Sequence, residues 1–152
     1  MEEFKTIKDI LDFAMNEEQK AADLYAELAG KSRNREIKAV FEQFSAEELG
    51  HKRQLQNIKS GGKIALSEEK VTDLQIGDYL VAADKSRDDL SYQDTLIIAM
   101  KEEKAAFKLY SDLAARTGDV KTREIFLMLA QEEARHKLRF EIEYDEYILR
   151  EN

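Results

Sequence analysis

Glu48 and His51 are three residues apart in a stretch with helical periodicity, so both side chains lie on one face of the predicted helix. The other positions on that face are apolar and recur at alternating steps of three and four residues: Ile37, Phe41, Phe44, Leu55 and Ile58. Glu133 and His136 repeat the arrangement late in the chain. Carboxylate and imidazole groups on a core-facing stripe are candidate metal ligands, because they offer the oxygen and nitrogen donors that bind metal ions.

Two more glutamates, Glu18 and Glu103, lie on the apolar stripes of two further predicted helices. A carboxylate that is buried without a partner is strongly destabilising, so four of them around one axis require nearby positive charge. Two divalent cations would balance the four carboxylates, and two neutral imidazoles would complete the ligand set. We therefore predict a two-metal site with these ligands: Glu18, Glu48, His51, Glu103, Glu133 and His136.

A single Glu-x-x-His pair in so charged a sequence is a weak signal, because such pairs often lie on solvated helix faces. Here both histidines of the chain take part, and each of the two upstream glutamates is followed seven residues later by a tyrosine, Tyr25 or Tyr110. The alternative is that these groups form buried ion pairs without metal. Glu47 and Glu132 are either surface charges or substitute ligands, because four-residue spacing to a histidine also shares a face. For the tyrosines, the alternative role is ordinary core packing.

The composition of the chain limits the classes of function. At 152 residues, with 43% hydrophobic and 37% charged residues, the sequence predicts one globular domain over residues 1–152. A net charge of -8 disfavours nucleic-acid binding, and no segment has the roughly 18 apolar residues of a membrane span. Without cysteine the chain can form no disulfide, zinc–thiolate site, iron–sulfur cluster or thiol nucleophile. The N-terminal residues lack a secretion signal, so we expect a cytoplasmic protein.

Four long helices must position the six ligands. Periodicity and capping residues predict helices at 6–30, 34–59, 91–117 and 119–150. Residues 60–90 form a long crossover with a predicted short helix near residues 71–83. Because the links within each helix pair are short and the link between the pairs is long, we predict an all-α four-helix bundle of two antiparallel hairpins.

The chain also repeats itself with an offset of 85 residues. The offset superposes the ligands and the tyrosines in pairs: Glu18 on Glu103, Glu48 on Glu133, His51 on His136, and Tyr25 on Tyr110. Neither hairpin could bury its apolar stripe alone, so we predict two copies of one unit related by an approximate two-fold axis.

These Glu-x6-Tyr and Glu-x-x-His motifs span all four predicted helices, and through them the chain resembles the ferritin-like superfamily of di-iron carboxylate proteins, in particular the four-helix domain of rubrerythrins. The resemblance implies a ferritin-like bundle that holds two iron ions, with manganese as the alternative metal. It implies that Glu48 and Glu133 bridge the metals. Glu18, Glu103 and the two histidines would be terminal ligands, and the four glutamates would also be the catalytic residues. The two motif tyrosines would donate hydrogen bonds to a carboxylate ligand.

The chain also departs from full-length rubrerythrins. Those proteins carry a cysteine-ligated rubredoxin module, and this chain has no cysteine, so the electrons would come from a separate electron-donor protein. Rubrerythrins also have a glutamate one turn after the ligand of the third helix, where this chain has Ala106.

Three functions are therefore compatible with the sequence. The first is an oxidoreductase that oxidises its diferrous centre with peroxide or dioxygen in oxidative-stress defence. The second is an iron-binding or ferroxidase protein, for which Fe(II) is the substrate. The third is a metal-free helical interaction module. By analogy with similar proteins, we expect a homodimer.

Overall fold

The computed structural model describes residues 6–61, 74–81 and 90–151, and it shows an all-α four-helix bundle. The helices are α1 (Ile7–Lys31), α2 (Arg35–Gly61), α3 (Tyr92–Arg116) and α4 (Val120–Glu151). α1 packs along α2 and α3 packs along α4, and the two hairpins meet where α1 contacts α3 and α2 contacts α4. The predicted fold is confirmed. In the part of the chain that is described, no helix combines the length and the apolar character needed to cross a membrane.

A polar side chain caps the start of each helix. Thr6 and Asp9 form a reciprocal pair at α1, in which each side chain accepts a hydrogen bond from the backbone N–H of the other, at 3.1 and 3.0 Å. Asn34, Ser91 and Asp119 each accept a hydrogen bond from the backbone N–H three residues later, at 2.8, 3.0 and 2.9 Å. These caps satisfy N–H groups that have no partner within the helix, so they fix where each helix begins.

The helix ends lie within two residues of the expected positions. The largest difference is at α2, which continues to Gly61 instead of ending at residue 59. In this last turn, the Ser60 hydroxyl accepts a hydrogen bond from the Gln56 side chain at 3.0 Å. In the crossover, a single 3₁₀ turn at Ile76–Asp78 lies inside the predicted short helix, and Gly77 disfavours a longer one. Residues 71–73 and 82–83 of that prediction lie outside the described residues.

Two apolar clusters fill the bundle, one on either side of a polar layer. The first cluster, which includes Leu11 and Phe126, lies between the N-terminal halves of α1 and α4 and the C-terminal halves of α2 and α3. The second cluster, which includes Phe41 and Phe140, joins the opposite halves. α1 and α4 therefore run in one direction and α2 and α3 in the other, as a long crossover between the hairpins allows. Close packing above and below shields the polar layer from solvent.

A buried ion pair fixes the two hairpins to each other at one end of the bundle. The fully buried carboxylate of Glu143 accepts hydrogen bonds from the Arg33 guanidinium at 2.9 and 3.0 Å and from the Tyr92 hydroxyl at 2.6 Å. Lys31 donates a hydrogen bond to the backbone carbonyl of Leu90 at 2.9 Å. The turn between α1 and α2 is thereby attached to α4, to the end of the crossover and to the start of α3.

Candidate metal centre

The structure brings the six predicted ligands together in the polar layer between the two apolar clusters. All six side chains are buried, with at most 3% of any of these residues exposed: Glu18, Glu48, His51, Glu103, Glu133 and His136. Each position follows from its helix register, because the ligands occupy the same inward stripe as the apolar residues one turn above and below. The four helices therefore direct four carboxylates and two imidazoles at one axis.

The ligand atoms form two overlapping groups. One group consists of Glu18, Glu48, His51 and Glu133, and the other consists of Glu48, Glu103, Glu133 and His136. Within each group, the possible ligand atoms all lie within 4.8 Å of one another. Because Glu48 and Glu133 belong to both groups, the geometry is compatible with their expected role as bridges between two metal ions.

Both histidine rings present Nδ1 to the centre. Nδ1 of His51 lies 2.8 Å from Oε1 of Glu133 and 3.4 Å from Oε2 of Glu18. Nδ1 of His136 lies 2.7 Å from Oε1 of Glu48 and 3.7 Å from Oε1 of Glu103. Each imidazole can therefore offer Nδ1 as a ligand while Nε2 bonds to a group outside the centre.

Several buried polar atoms at the centre have no hydrogen bond of normal geometry. They are Oε2 of Glu18, Oε2 of Glu48, Nδ1 of His51, Oε2 of Glu103 and Oε1 of Glu133. Buried polar atoms in folded proteins are almost always paired, so a cluster of unpaired ligand atoms calls for a bound group. Hard divalent cations fit these oxygen and nitrogen donors.

The electrostatics of the centre also favour cations. Burial, together with the charges of neighbouring carboxylates, raises the pKa of Glu48 and of Glu103 well above the ordinary value. Burial raises the pKa of Glu18 in the same way. Burial also opposes ionisation of Glu133, but the close contact with His51 and the charge of that ring outweigh it and lower the pKa of the Glu133 carboxyl. Four carboxylates thus cannot all be ionised without added positive charge.

The two motif tyrosines bond to glutamates of the opposite hairpin that are expected to be terminal ligands. The Tyr25 hydroxyl on α1 donates to Oε1 of Glu103 on α3, and the Tyr110 hydroxyl on α3 donates to Oε1 of Glu18 on α1. These bonds use one oxygen of each carboxylate and leave the other for the centre. We call the side of the centre formed by α1 and α3, which carries Tyr25 and Tyr110, the tyrosine face.

The opposite side of the centre, formed by α2 and α4 with His51 and His136, is the histidine face. Glu132 Oε2 lies 2.6 Å from Nε2 of His51, and Glu47 Oε1 lies 2.7 Å from Nε2 of His136. Sequence reasoning did not assign these partners and left both glutamates as surface charges or substitute ligands. The sequence did contain a signal for this role. Glu47 directly precedes Glu48, and Glu132 directly precedes Glu133, so the same Glu-Glu pair occurs in both copies of the repeat.

A small cavity of about 30 Å³ reaches the centre from the tyrosine face. Its wall includes the predicted ligands Glu18 and Glu103 and their chain neighbours Glu17 and Glu102. Ala106, which stands where rubrerythrins have a further glutamate, lies on the same wall. The crossover contributes to the lining through its described residues. The centre is therefore reachable by a very small molecule between α1 and α3.

Comparison with known proteins assigns the family. The family model of rubrerythrin matches residues 9–144. The chain belongs to the rubrerythrin family. A crystal structure from Thermotoga maritima, described as that of a candidate ferritin-like diiron-carboxylate protein, matches this rubrerythrin-family chain with a TM-score of 0.78 and 24% identity, over 97% of this chain and 99% of that chain. At that identity, the likeness establishes the ferritin-like fold. A search of curated proteins gave no significant match.

Proposed function

We propose that this rubrerythrin-family chain binds two iron ions in its bundle and is an oxidoreductase that oxidises the diferrous centre with peroxide or dioxygen in oxidative-stress defence. The main support is the pair of four-residue ligand groups that share Glu48 and Glu133. Two ferrous ions, when bound, supply two electrons to the O–O bond of the oxidant. The family and the name of the structural relative favour iron, and manganese is the alternative metal, because the same ligands suit it.

The protein groups would hold the charge, orient the ligands and exclude bulk water. Tyr25 and Tyr110 fix the terminal carboxylates of Glu103 and Glu18, and the two apolar clusters keep the layer dry. The cavity on the tyrosine face has space for little more than a single water molecule, which favours an oxidant as small as dioxygen or peroxide. Because the chain has no cysteine, we propose that a separate electron-donor protein returns the centre to the reduced state.

Ferroxidase activity is the second candidate, and the composition of the cavity wall supports it. Glu17 and Glu102 line the cavity next to the terminal ligands, so the approach to the centre is acidic and attracts Fe(II). Ala106 takes the place of the additional rubrerythrin glutamate, so the ligand set is symmetric between the two hairpins. In this version, Fe(II) would be a substrate that leaves after oxidation.

Metal analysis tests the proposal first. Anaerobically purified protein, reconstituted with iron, should contain about two metal ions per chain, because there are two ligand groups. A refolded chain that binds no iron would overturn both iron functions and would favour the metal-free interaction module.

Rapid kinetics then separate the two iron functions. Stopped-flow absorption compares the rates at which peroxide and dioxygen oxidise the diferrous protein. The oxidant that reacts faster is the better candidate for the physiological one. Repeated turnover with excess Fe(II), without any electron donor, would identify a ferroxidase. A single oxidation that can be repeated only after reduction of the centre would support the oxidoreductase.

A further inference from the structure

The 85-residue repeat keeps the six ligands but not their surroundings on the histidine face. Glu47 and Glu132 occupy matching positions in the two copies. The other residues nearby differ between the copies. In the first copy, Gln43, Phe44 and Gly50 stand where the second copy has Met128, Leu129 and Arg135. We call the carboxylate that bonds to Nε2 of each histidine its outer carboxylate: Glu47 for His136 and Glu132 for His51. The two histidines therefore differ in what surrounds their outer carboxylates.

Around His136, the outer carboxylate is held from three sides. Glu47 Oε1 lies 2.7 Å from Nε2 of His136, and the carboxylate accepts further hydrogen bonds from Arg135 at 2.5 Å and from Gln43 at 3.1 Å. The Phe44 ring stacks on the His136 ring with a centroid separation of 4.0 Å and an interplanar angle of 27°. The Arg135 guanidinium lies over the Phe44 ring, 5.7 Å from the ring centroid. His136 is thus held both at Nε2, by Glu47, and on its ring face, by Phe44.

Around His51, the outer carboxylate has less support. Glu132 Oε2 lies 2.6 Å from Nε2 of His51, and among the residues that the structure describes this is its one hydrogen bond. The Glu132 side chain is 34% exposed, against 22% for Glu47. Gly50 provides no side chain at the position from which a guanidinium could hold Glu132. His51 is therefore oriented by a carboxylate that has fewer partners and is more exposed than the one beside His136.

We infer that the two metal positions are inequivalent, and that the position served by His136 and Glu103 binds its ion more tightly than the position served by His51 and Glu18. Glu47 and Glu132 are the positioning residues that set this difference, each through the histidine of the other hairpin. A ligand whose orientation is already fixed loses less entropy when it binds a metal ion, so the braced histidine favours the tighter site. The inference rests on the proposed two-metal centre.

A titration with Co(II) tests the inference without any catalytic readout. Co(II) is added to metal-free full-length protein, and binding is followed by calorimetry and by visible absorption. The expected result is two binding steps of different affinity. Glu47→Gln should weaken the tighter step by about 10- to 100-fold and bring the two steps together. Glu132→Gln should weaken the weaker step and so increase the difference in affinity between the two steps. Glu42→Gln, at an exposed position on the same helix as Glu47, removes the same charge and should change neither step.

A spectroscopic signal assigns each step to one histidine. The Nε2–H proton of a Co(II)-bound histidine gives a proton NMR resonance far outside the normal range, because the ion is paramagnetic. The resonance that appears first in the titration should move in Glu47→Gln and stay in place in Glu132→Gln. His51→Ala and His136→Ala identify which resonance belongs to which ring.

Gly50 offers a gain-of-function test of the same idea. A Cβ atom added at Gly50 would meet, within 4 Å, the far end of the exposed Arg53 side chain at 3.7 Å, which is ordinary contact. Gly50→Arg would give Glu132 the guanidinium that Glu47 receives from Arg135, so the weaker step should tighten toward the stronger one. Gly50→Ala adds the same helix preference without the guanidinium, and it should leave the two steps apart.

Equal affinities in the unmodified chain, or equal effects of Glu47→Gln and Glu132→Gln on one step, would overturn the inference while leaving the metal centre intact. Absence of Co(II) and iron binding altogether would instead overturn the proposed function on which the inference rests.

Discussion

The tyrosine face and the histidine face hold the same centre by different chemistry. On the tyrosine face, neutral hydroxyl groups of Tyr25 and Tyr110 donate hydrogen bonds to terminal carboxylates. On the histidine face, the carboxylates of Glu47 and Glu132 pair with the outer nitrogens of the rings. In both cases the partner comes from the opposite hairpin. Each hairpin therefore supplies ligands and also orients the ligands of its copy.

The two faces also differ in access. The cavity that reaches the centre opens between α1 and α3, where Ala106 leaves space beside Glu103. On the other side, the Phe44 ring covers His136, which is completely buried. In the proposed function, we therefore expect small molecules to approach the tyrosine face and the histidine face to fix the two nitrogen ligands.

Removal of a shared glutamate should have the largest effect, because Glu48 and Glu133 serve both faces. Glu48→Ala or Glu133→Ala should reduce the iron content from about two ions to at most about one per chain, since both ligand groups lose a member. Elemental analysis of the reconstituted protein measures the change. Glu42→Ala, at an exposed position of the same helix as Glu48, is the control and should keep full occupancy. Retention of both ions in either shared-glutamate variant would refute the bridging role.

Filling the cavity should slow oxidation without loss of metal. Ala106→Leu places a larger side chain in a cavity of about 30 Å³, so access from the tyrosine face should close. We expect the second-order rate of oxidation by peroxide to fall by at least about tenfold, which corresponds to about 1.4 kcal/mol of added barrier. Stopped-flow absorption measures the rate, and metal analysis verifies that loading is unchanged.

The matched control for this change lies on the other face. Val40→Leu enlarges a side chain that lines an open groove between α2 and α4, and it should leave the oxidation rate unchanged. Equal slowing by the two variants would show that access is not confined to the tyrosine face.

Loss of a tyrosine hydroxyl should have a smaller effect on metal affinity. Tyr110→Phe leaves Glu18 without its buried donor, and Tyr25→Phe does the same to Glu103. We expect each variant to weaken binding by about tenfold, the lower end of the range for groups that orient metal ligands. Calorimetric titration with Co(II) measures the change. Tyr144→Phe, whose hydroxyl accepts a hydrogen bond from Gln93 at 3.3 Å outside the centre, should bind Co(II) normally. Unchanged Co(II) affinity in both Tyr110→Phe and Tyr25→Phe would show that these tyrosines serve only to fill the core.

The pH dependence of stability should differ between the metal-free and metal-loaded protein. Burial raises the pKa of Glu48 and Glu103. Burial opposes protonation of His51, but the three carboxylates that lie close to its Nδ1 outweigh this and raise its pKa. Above about pH 7, where the unfolded chain has released the His51 proton, the folded metal-free protein still holds it, so its free energy of unfolding should fall as pH rises, by about 1.4 kcal/mol per pH unit for that proton. The raised pKa values of Glu48 and Glu103 act in the same direction. The lowered pKa values of Glu133 and His136 contribute nothing in this range, because both groups have lost the proton in both states.

Thermal unfolding followed by circular dichroism tests this expectation. The Tm of the metal-free protein should decrease between about pH 7 and about pH 9, and the decrease should shrink in His51→Gln, which cannot carry the retained proton. Bound cations replace the protons, so the metal-loaded protein should show little change over the same range. A metal-free Tm that rises with pH would contradict the electrostatic description of the centre.

The helices and the ligand layer could be predicted from the sequence because both depend on local spacing. Polar residues such as Glu18 and His51 occupy positions where the helix period demands apolar side chains, and the cost of burying them points to a metal. The caps at Thr6 and Asn34 were readable for the same reason, since a cap bonds to a residue three positions away. The crossover was less predictable, because its short 3₁₀ turn has no repeated pattern of its own.

The sequence by itself therefore determined the four helices, their apolar stripes and the residues predicted to bind metal. Only the tertiary structure decided which groups orient those residues. The spacing indicated that Tyr25 bonds to some carboxylate, but packing of α1 against α3 selects Glu103. Likewise, Glu47 is an ordinary partly exposed glutamate until α2 packs against α4 and brings it to His136. Contacts between hairpins depend on how each helix is rotated and placed against its neighbour, and no periodicity within one helix specifies that.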